Sequence, residues 1–381
     1  MSTLIGSGEA AATLGVTKPT LYAYVSRGLI TRQVAVDGRT SLYDRAQVEA
    51  LSSRTRRGPA TARPSIDVQI ATAITRLHDD SPTYRGRRVL DLIGTHSFEE
   101  VADLLMTGEA TGTPSDWRVD RAALFRARRI VESATPVDPL TALGLAARSL
   151  AVGADDDTVA VARRLLSIAP SLFGGPQRGS IAERLTRSWH RRPSPQLVDA
   201  VSCALMLLAD HELATSTLAV RVAASVRTAP NAAIAAGLDV VAGPLHGAAS
   251  QASAGLLRLA ADTDPVAAVR SGLSNRGRLP GFGHSVYRRG DPRFAPLLAA
   301  VRAVPAPSER MAVVDAVIGE AGRSIGHLPN IDLALGALIH VAHLPIDAPI
   351  FAVARIAGWA AHYDEELGER PVRFRGLSRE P

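Results

Sequence analysis

Apolar residues recur at three- and four-residue spacing through most of the chain, and Asp, Ser or Pro stands near the start of each apolar stretch. This spacing places apolar side chains on one face of a helix, and Asp, Ser and Pro are favoured where helices begin. The pattern therefore predicts an all-α protein. The clearest predicted helices are residues 98–105, 120–132, 156–167, 196–209 and 265–271.

The first 55 residues follow a different pattern. Residues 7–14 predict a short helix, and residues 17–25 predict a second one after a brief turn. Residues 30–43 contain two β-prone runs around Asp37-Gly38, a dipeptide typical of tight hairpins. A third helix is predicted from Asp44 to near Ser52. This order of helix, turn, helix, two-stranded wing and helix resembles the winged helix-turn-helix domains of the MerR and excisionase families.

The resemblance implies that residues 1–55 bind DNA, with the second helix in the major groove and basic wing residues on phosphates. The residues that would contact DNA are Lys18, Thr20, Tyr22, Tyr24, Arg27 and Arg39. Such modules also serve as docking or dimerisation units. Tyr22 and Tyr24 are two positions apart, so they lie on different helix faces, and one of them can pack in the small core.

The positive charge is concentrated at the N-terminus. Residues 1–64 hold nine basic and four acidic side chains, a net charge of +5, whereas the whole chain has a net charge of +6. Residues 52–65, SSRTRRGPATARPS, have the composition of a flexible connector. We therefore expect a winged helix-turn-helix domain at residues 1–55, a linker at 56–65 and a helical domain at 66–381.

The composition narrows the class of protein. The only cysteine, Cys203, cannot form an internal disulfide, and the N-terminus lacks the basic start and apolar run of a signal peptide, so we expect a cytoplasmic protein. Residues 331–361 are strongly apolar but include charged side chains, which predicts buried helices and no membrane role. Potential zinc ligands are scattered, so the sequence predicts no metal site.

Three short motifs carry the candidate chemistry. They are Gly-Pro-Leu-His-Gly at 243–247, Gly-Phe-Gly-His at 281–284 and Pro-Asn-Ile-Asp at 329–332. Gly and Pro set the backbone direction where helices break, so His246, His284 and Asp332 are predicted to converge on one pocket. Two imidazoles and one carboxylate are suited to carbon-acid chemistry, because a base and a proton donor must act on the same substrate.

These motifs stand among eight segments whose order and spacing are those of the citrate synthase family. The segments are SPTYRGRRVLDL, FEEVADLLMTGE, TPVDPLTAL, ADHELATSTLAVRV, GPLHGAASQA, LPGFGHSVYRRGDPR, PNIDLALGAL and FAVARIAGWAAHYDEE. The resemblance runs from about residue 66 to the C-terminus. It implies an almost wholly helical fold with a large domain, a smaller mobile domain near residues 248–345, and an active site in the cleft of an obligate homodimer.

The resemblance also implies a reaction. Acetyl-CoA condenses with oxaloacetate, and the thioester is hydrolysed to citrate and CoA; propionyl-CoA, the substrate of 2-methylcitrate synthases, remains open as the acyl donor. The CoA thioester is a substrate, and no tightly bound cofactor is implied. The family roles make Asp332 the base that takes the methyl proton. They make His246 the donor to the thioester oxygen, and His284 the group that polarises and protonates the ketone.

Binding residues follow from the same resemblance. The carboxylates of oxaloacetate would be held by His211, Arg293, Arg355 and, from the opposite subunit, Arg370. CoA would lie against the backbone of Leu279, Pro280, Gly281, Phe282 and Gly283 around the adenine, with Arg288 near the phosphates. Arg289 is adjacent to Arg288 and is an alternative phosphate contact.

A hypothesis of another class is also open. In it the chain is a DNA-binding regulator whose enzyme-like domain senses acyl-CoA or a dicarboxylate. The intact Asp332 favours the enzyme, because a pure sensor does not need a base.

Overall fold

The computed structural model describes residues 4–14, 16–26, 30–35, 40–49, 69–78, 81–111, 117–150, 157–243, 246–276, 279–284, 286–287 and 289–375. The chain divides into two compact units, Met1–Ile70 and Ala71–Pro381. The linker predicted at residues 56–65 lies outside the described residues, so its boundaries stay a prediction.

The first unit combines short helices with a small sheet. Its elements are β1 (Leu4–Gly6), α1 (Ser7–Leu14), α2 (Lys18–Ser26), β2 (Arg32–Val34), β3 (Ser41–Asp44) and α3 (residues 45–49). The strands form an antiparallel sheet in the order β1-β3-β2. The helices and the β2–β3 pair agree with the sequence pattern, whereas β1 was not expected. Assignment of this unit to the winged helix-turn-helix class remains a prediction.

The core of this unit is small. Ile5, Leu14, Leu21, Tyr43 and Val48 are buried together. Tyr24 packs against that core while Tyr22 is 47% exposed, as their spacing on one helix predicts. Three other sites of the DNA-binding hypothesis, the Asp37-Gly38 turn, Arg27 and Arg39, lie outside the described residues, as does the side chain of Thr20.

The second unit is mostly helical. It opens with an antiparallel sheet of two-residue strands, β4 (Thr75–Arg76), β5 (Thr83–Tyr84) and β6 (Arg87–Arg88). The helices that follow are α4 (Val89–Leu92), α5 (Phe98–Thr107), α6 (Arg121–Ser133), α7 (Pro139–Ser149), α8 (Thr158–Leu172), α9 (Ile181–Trp189), α10 (Pro195–Leu208), α11 (Thr215–Ser225), α12 (Pro230–Val241), α13 (Ala249–Asp262), α14 (Pro265–Arg276), α15 (Phe294–Arg302), α16 (Ser308–Ser324), α17 (Ile331–Val341) and α18 (Ile350–Leu367). The expected all-α class is therefore corrected to mostly helical.

Local capping explains where several helices begin. The Asp120 side chain accepts a hydrogen bond from the Ala123 amide at the start of α6, and Ser97 forms a reciprocal capping box with Glu100 at the start of α5. The predicted helices are confirmed, although α8 and α14 extend past their expected ends to Leu172 and Arg276. Apolar periodicity marks where a helix begins more sharply than where it ends.

The two helices formed by the strongly apolar stretch carry two of the candidate site residues, Asp332 and Arg355. Residues 331–361 form α17 and α18, and most side chains of both helices are buried, as predicted. No helix in the described ranges combines the length and apolarity needed to cross a membrane. α13 packs against α14, α16 and α17 within the second unit. The mobility expected of residues 248–345 stays a prediction.

Candidate active site

Backbone hydrogen bonds join two of the three motifs. The Gly283 amide donates to the Leu328 carbonyl (2.8 Å), and the Asn330 amide donates to the Gly281 carbonyl (2.9 Å). Gly281 has φ +80°, and a Cβ there would press on Leu333, so this crossing requires glycine. The loop that carries His284 is thereby held against the first turn of α17, which carries Asp332.

Asp332 is poised as a base. Its amide donates to the Asn330 side chain, which caps α17 (3.0 Å), and the residue is partly exposed. Burial raises the pKa of Asp332 to about 6; Arg293 and Arg355 lower it, and Asp291 raises it. A carboxylate with this pKa is a stronger base than an ordinary aspartate and is still ionised at neutral pH.

His284 is set up as a proton donor. Its Nδ1 accepts hydrogen bonds from the amides of Val286 (3.0 Å) and Tyr287 (3.2 Å), so a neutral ring carries its proton on Nε2. Burial and the nearby Arg293 lower the pKa of His284, which keeps the ring neutral at neutral pH. The ring packs against Tyr287 and, edge-on at 5.3 Å between centroids, against His211.

His246 is held by two side chains that the motifs do not reveal. Its Nε2 is 2.9 Å from the Ser216 hydroxyl, which accepts a hydrogen bond from the Trp359 indole (3.3 Å). An indole can only donate, so the hydroxyl proton is not used in that contact; when the hydroxyl donates it to Nε2, the ring proton of His246 resides on Nδ1. Burial and Arg355 lower the pKa of His246, so this imidazole is also a neutral donor.

Asp291 is a further residue that the sequence did not single out. Its carboxylate binds the Arg293 guanidinium through two hydrogen bonds (2.9 and 2.8 Å) and accepts a third from the Ile331 amide (3.1 Å). One buried carboxylate therefore fixes an arginine and the start of α17 together. Its place in Gly290-Asp291-Pro292-Arg293 was visible, but its contact with Ile331, 40 positions away, was not.

Arg355 and His211 each have a buried side-chain nitrogen without a hydrogen-bond partner among the described residues. Arg355 donates from Nε to the Leu208 carbonyl (2.9 Å) and lies 4.8 Å above the Phe351 ring, but it has no carboxylate partner within the described ranges. Its Nη1 and the Nε2 of His211 are buried without a hydrogen-bond partner in that part of the chain. Burial and the positive charges of Arg293 and Arg355 hold the pKa of His211 well below its ordinary value. Buried polar groups usually find a partner, so these atoms favour a bound anion.

The contacts bring the predicted residues together. His211 touches His284, and Phe351 touches both His246 and Arg355. A cavity of about 290 Å³ opens beside this cluster and is lined by residues that include His284, Asp291 and Asn330. A larger cavity of about 570 Å³, beside Trp117 and Arg118, contains none of the acid–base groups. No group of three or more His, Cys, Asp or Glu side chains in the described ranges could hold a metal ion.

Comparison with known proteins decides the family. The family model for the citrate synthase C-terminal domain matches residues 67–375. The chain belongs to the citrate synthase family. It is therefore an acyltransferase-type enzyme of that family, and the resemblance noted in the sequence is confirmed.

Relatives agree in sequence and in fold. Citrate synthase of Synechocystis is 30% identical over 326 residues, which cover 76% of this chain and 82% of that protein. A 2-methylcitrate synthase of Mycobacterium tuberculosis is 28% identical over 337 residues, which cover 77% of this chain and 84% of that protein. The citrate synthase structure from Thermotoga maritima has a TM-score of 0.69 at 23% identity, covering 82% of this chain and 92% of that one.

One further structure has ligands in its description. The citrate synthase of Thermoplasma acidophilum, described as a ternary complex with carboxymethyl coenzyme A and oxaloacetate, has a TM-score of 0.68 at 23% identity. The match covers 85% of this chain and 97% of that one. These structural likenesses establish that the second unit has the citrate synthase fold.

Two sets of predicted residues stand apart from the cluster. Arg370 is exposed beyond the end of α18 and makes no ion pair with any described residue. The segment predicted to bind CoA, Leu279, Pro280, Gly281, Phe282 and Gly283, forms the loop that leads into His284, and Leu279 is buried. Arg288 lies outside the described residues, so its phosphate contact stays a prediction.

Proposed function

We propose that this protein condenses acetyl-CoA with oxaloacetate and hydrolyses the product to citrate and CoA. Named relatives at 28–30% identity include citrate synthases and 2-methylcitrate synthases, so propionyl-CoA is the second candidate acyl donor. The proposal is carried by the combination of Asp332, a carboxylate with a raised pKa, and two neutral imidazoles, His246 and His284. Each imidazole has one ring nitrogen in a hydrogen bond with the protein. This set supplies a base and two donors without any tightly bound cofactor.

The first step forms an enolate. Asp332 takes a proton from the methyl group of the thioester, and the C–H electrons move into the carbonyl group. His246 donates from Nδ1 to the developing negative oxygen, because its Nε2 is occupied by Ser216. A donor in place during proton removal lowers the barrier for a weak carbon acid.

The second step forms the carbon–carbon bond. The enolate carbon attacks the ketone carbon of oxaloacetate, and the ketone oxygen takes the proton from His284 Nε2; the turnover closes when Asp332 releases the proton it took and His284 regains one. Water then cleaves the citryl thioester, so that CoA leaves as a thiol and citrate is released. His284 is suited to its role because the two amides at Nδ1 leave Nε2 as the only ring donor.

The carboxylates of oxaloacetate would supply anionic partners for the buried polar groups of the site. Arg355 Nη1 is a buried donor and His211 Nε2 a buried ring nitrogen, and neither has a partner among the described residues; Arg293 is close enough to act on His211 through its charge. Guanidinium groups remain charged and bind carboxylates in a fixed geometry. A dicarboxylate would satisfy these donors and offset the cost of burying the two arginines.

Thiol release tests the condensation. The full chain is incubated with acetyl-CoA and oxaloacetate, and free thiol is measured against an Asp332→Ala control. Turnover no higher than that control would overturn the proposal. Propionyl-CoA is assayed in parallel to identify the acyl donor. The two donors differ by one methylene, which changes the barrier by only about 1–3 kcal/mol, so the rates with both must be compared.

We also propose that the active unit is a homodimer. Val222 on α11 and Val226 just after it are exposed, and the exposed Val372 lies next to them because its amide donates to the Ser225 carbonyl (2.9 Å). An apolar patch of this kind fits a second copy of the chain, and Arg370, two residues before Val372, would reach the partner's site from there. Analytical ultracentrifugation tests this, and a monomer with full activity would overturn it.

We propose a separate role for the first unit as a winged helix-turn-helix module that contacts DNA. The support is the α1–α2 pair followed by the paired strands β2 and β3, together with the net charge of +5 on residues 1–64. Phosphate contacts make such binding weaken with salt. A salt-dependent mobility shift of random duplex DNA, lost on deleting residues 1–60, is expected; its absence in low salt would overturn the role.

A further inference from the structure

A buried carboxylate holds the turn that carries His211. Asp210 has no solvent exposure, and its Oδ2 accepts a hydrogen bond from the Glu212 amide (3.0 Å). The Tyr84 hydroxyl accepts from the Asp210 amide (3.2 Å) and lies 3.1 Å from the Asp210 carbonyl. Glu212 has φ +52°, an unfavourable conformation for a residue with a side chain. The backbone is therefore fixed on both sides of His211.

The same carboxylate contacts α18. His362 Nε2 is 3.2 Å from Asp210 Oδ2, while its Nδ1 is 3.2 Å from a guanidinium nitrogen of Arg221. Because a guanidinium can only donate, Nδ1 of the neutral ring is the acceptor, and the ring proton lies on Nε2, where it is donated to Asp210. Burial lowers the pKa of His362, but Asp210 and Glu365 raise it above its ordinary value. Glu365 also faces this ring, with its carboxylate 3.7 Å from Nδ1. His362 is fully buried and is therefore committed to these contacts.

One face of α18 is matched to the residues at the end of α10. Arg355 donates to the Leu208 carbonyl (2.9 Å), the Gly358 amide donates to the Ala209 carbonyl (3.2 Å), and His362 binds Asp210. A Cβ at position 358 would collide with the Asp210 carboxylate, so the glycine permits this close approach. Residues at spacings of three and four on one helix thus bind three consecutive residues.

Asp210 also acts on Arg355 through its charge. Burial lowers the pKa of the Arg355 guanidinium, and the negative charge of Asp210 opposes that effect. The carboxylate is therefore connected to two of the groups that face the dicarboxylate: to His211 through the backbone, and to Arg355 through its field. Neither Asp210 nor His362 takes part in the proposed proton transfers.

We propose that Asp210 and His362 are a positioning pair for the dicarboxylate site, which holds the His211 turn and supports Arg355 without touching the substrate. This inference rests on the proposed binding of oxaloacetate. It predicts that disrupting the pair weakens oxaloacetate binding and leaves the affinity for acyl-CoA unchanged.

Three variants of the full chain test the pair. Asp210→Asn keeps the shape but removes the charge, His362→Phe removes the donor, and His362→Gln retains a side-chain amide donor. The Kd for oxaloacetate is measured by calorimetry without any acyl-CoA. Asp210→Asn and His362→Phe are expected to raise it on the order of tenfold to a hundredfold, because a misplaced binding group costs that much. His362→Gln is expected to recover most of the affinity.

A matched control separates positioning from loss of stability. Glu99 is equally buried, and its carboxylate accepts from the Ile181 amide at the start of α9 (2.7 Å). Glu99→Ala leaves the Ile181 amide without this acceptor, so it is expected to lower the Tm while leaving the Kd for oxaloacetate unchanged. A Kd within about twofold of wild type for folded Asp210→Asn would overturn the inference, since that is under 0.5 kcal/mol. If Asp210→Asn does not fold, the two His362 variants decide, and equal Kd values for them overturn it.

The same measurements separate this inference from the proposed function. Wild-type protein that binds oxaloacetate but releases no thiol would overturn the condensation, while the Kd comparison would still test the pair. Wild-type protein that does not bind oxaloacetate would overturn both.

Discussion

Replacing Asp332 by asparagine is expected to stabilise the fold at neutral pH and to abolish turnover. Burial raises the pKa of this carboxyl from an ordinary value of 3.8 to about 6. Between these two values the folded protein binds a proton that the unfolded chain has released. Stability therefore falls as the pH rises through this window, and the full cost of the charge is present above about pH 6.

The magnitude follows from the shift. About two pKa units correspond to about 3 kcal/mol, since each unit is worth 1.36 kcal/mol. The residue is partly exposed, and an ionised carboxylate in the first turn of α17 gains about 0.3–1 kcal/mol from the helix dipole. We therefore expect Asp332→Asn to raise the free energy of unfolding by about 1–2 kcal/mol near pH 7.5. Below about pH 4 the gain should vanish, because both residues are then uncharged.

Urea unfolding of both proteins at about pH 7.5 and about pH 4.5 measures the difference. In the thiol-release assay the variant should lose about 10²–10⁴-fold in kcat, the usual contribution of a general base. Asp262→Asn, at an exposed carboxylate ending α13, is the control and should change stability by no more than about 0.5 kcal/mol. A variant less stable than wild type near neutral pH, or a gain of equal size at both pH values, would refute the reasoning.

Three other changes probe the rest of the site. Ser216→Ala removes the hydroxyl that fixes the proton of His246, so kcat should fall by about tenfold, the worth of one hydrogen bond, while the KM for oxaloacetate stays constant; an unchanged kcat would contradict the assigned tautomer. Asp291→Asn releases one of two hydrogen bonds that fix Arg293, so steady-state kinetics should show the KM for oxaloacetate rising by about tenfold or more; a higher KM for acyl-CoA alone would argue against this. If Arg370 serves the partner's site, His246→Ala and Arg370→Ala subunits that are each inactive should regain activity when equal amounts are mixed and reassembled. About a quarter of wild-type activity is expected, because half of the dimers are heterodimers and half of the sites in each heterodimer are intact. No recovery from a confirmed heterodimer would place Arg370 outside the partner's site.

Local signals in the sequence were sufficient for most of the fold. Capping residues such as Asp120 and Ser97 and the apolar spacing of each helix are properties of neighbouring residues, and they predicted most helix starts within a few positions. The β4–β6 sheet was not predicted, since each strand has two residues and a period of two cannot be recognised over such a length. Whether such short strands form depends on the side chains that pack against them.

The candidate site divides in the same way. His246, His284 and Asp332 were recognisable because glycine, proline and asparagine beside them mark breaks between helices. Their supporting partners were not recognisable. Ser216 and Trp359 are 143 positions apart, and nothing near either residue indicates the other. A hydrogen bond between distant helices is set by packing, which periodicity does not encode.

The support of the site is concentrated on one face of α18. Arg355, Trp359 and His362 are spaced by four and three residues, so they share a stripe on that helix. Each supports a different part of the candidate site. Arg355 belongs to the proposed dicarboxylate site, Trp359 contacts Ser216, which contacts His246, and His362 contacts Asp210 in the turn of His211.

A second support is independent of α18. His284 and Asp332 are joined by the crossing of residues 281–283 with residues 328–330. His246, the proposed donor to the thioester oxygen, is therefore held through α18, whereas Asp332, the proposed base, belongs to the crossing. In the proposed mechanism His246 and Asp332 act on the same acyl group, so a movement of residues 248–345 relative to α18 would separate donor from base. The proposal therefore predicts that enolate formation occurs only in the arrangement in which both supports meet across a bound dicarboxylate.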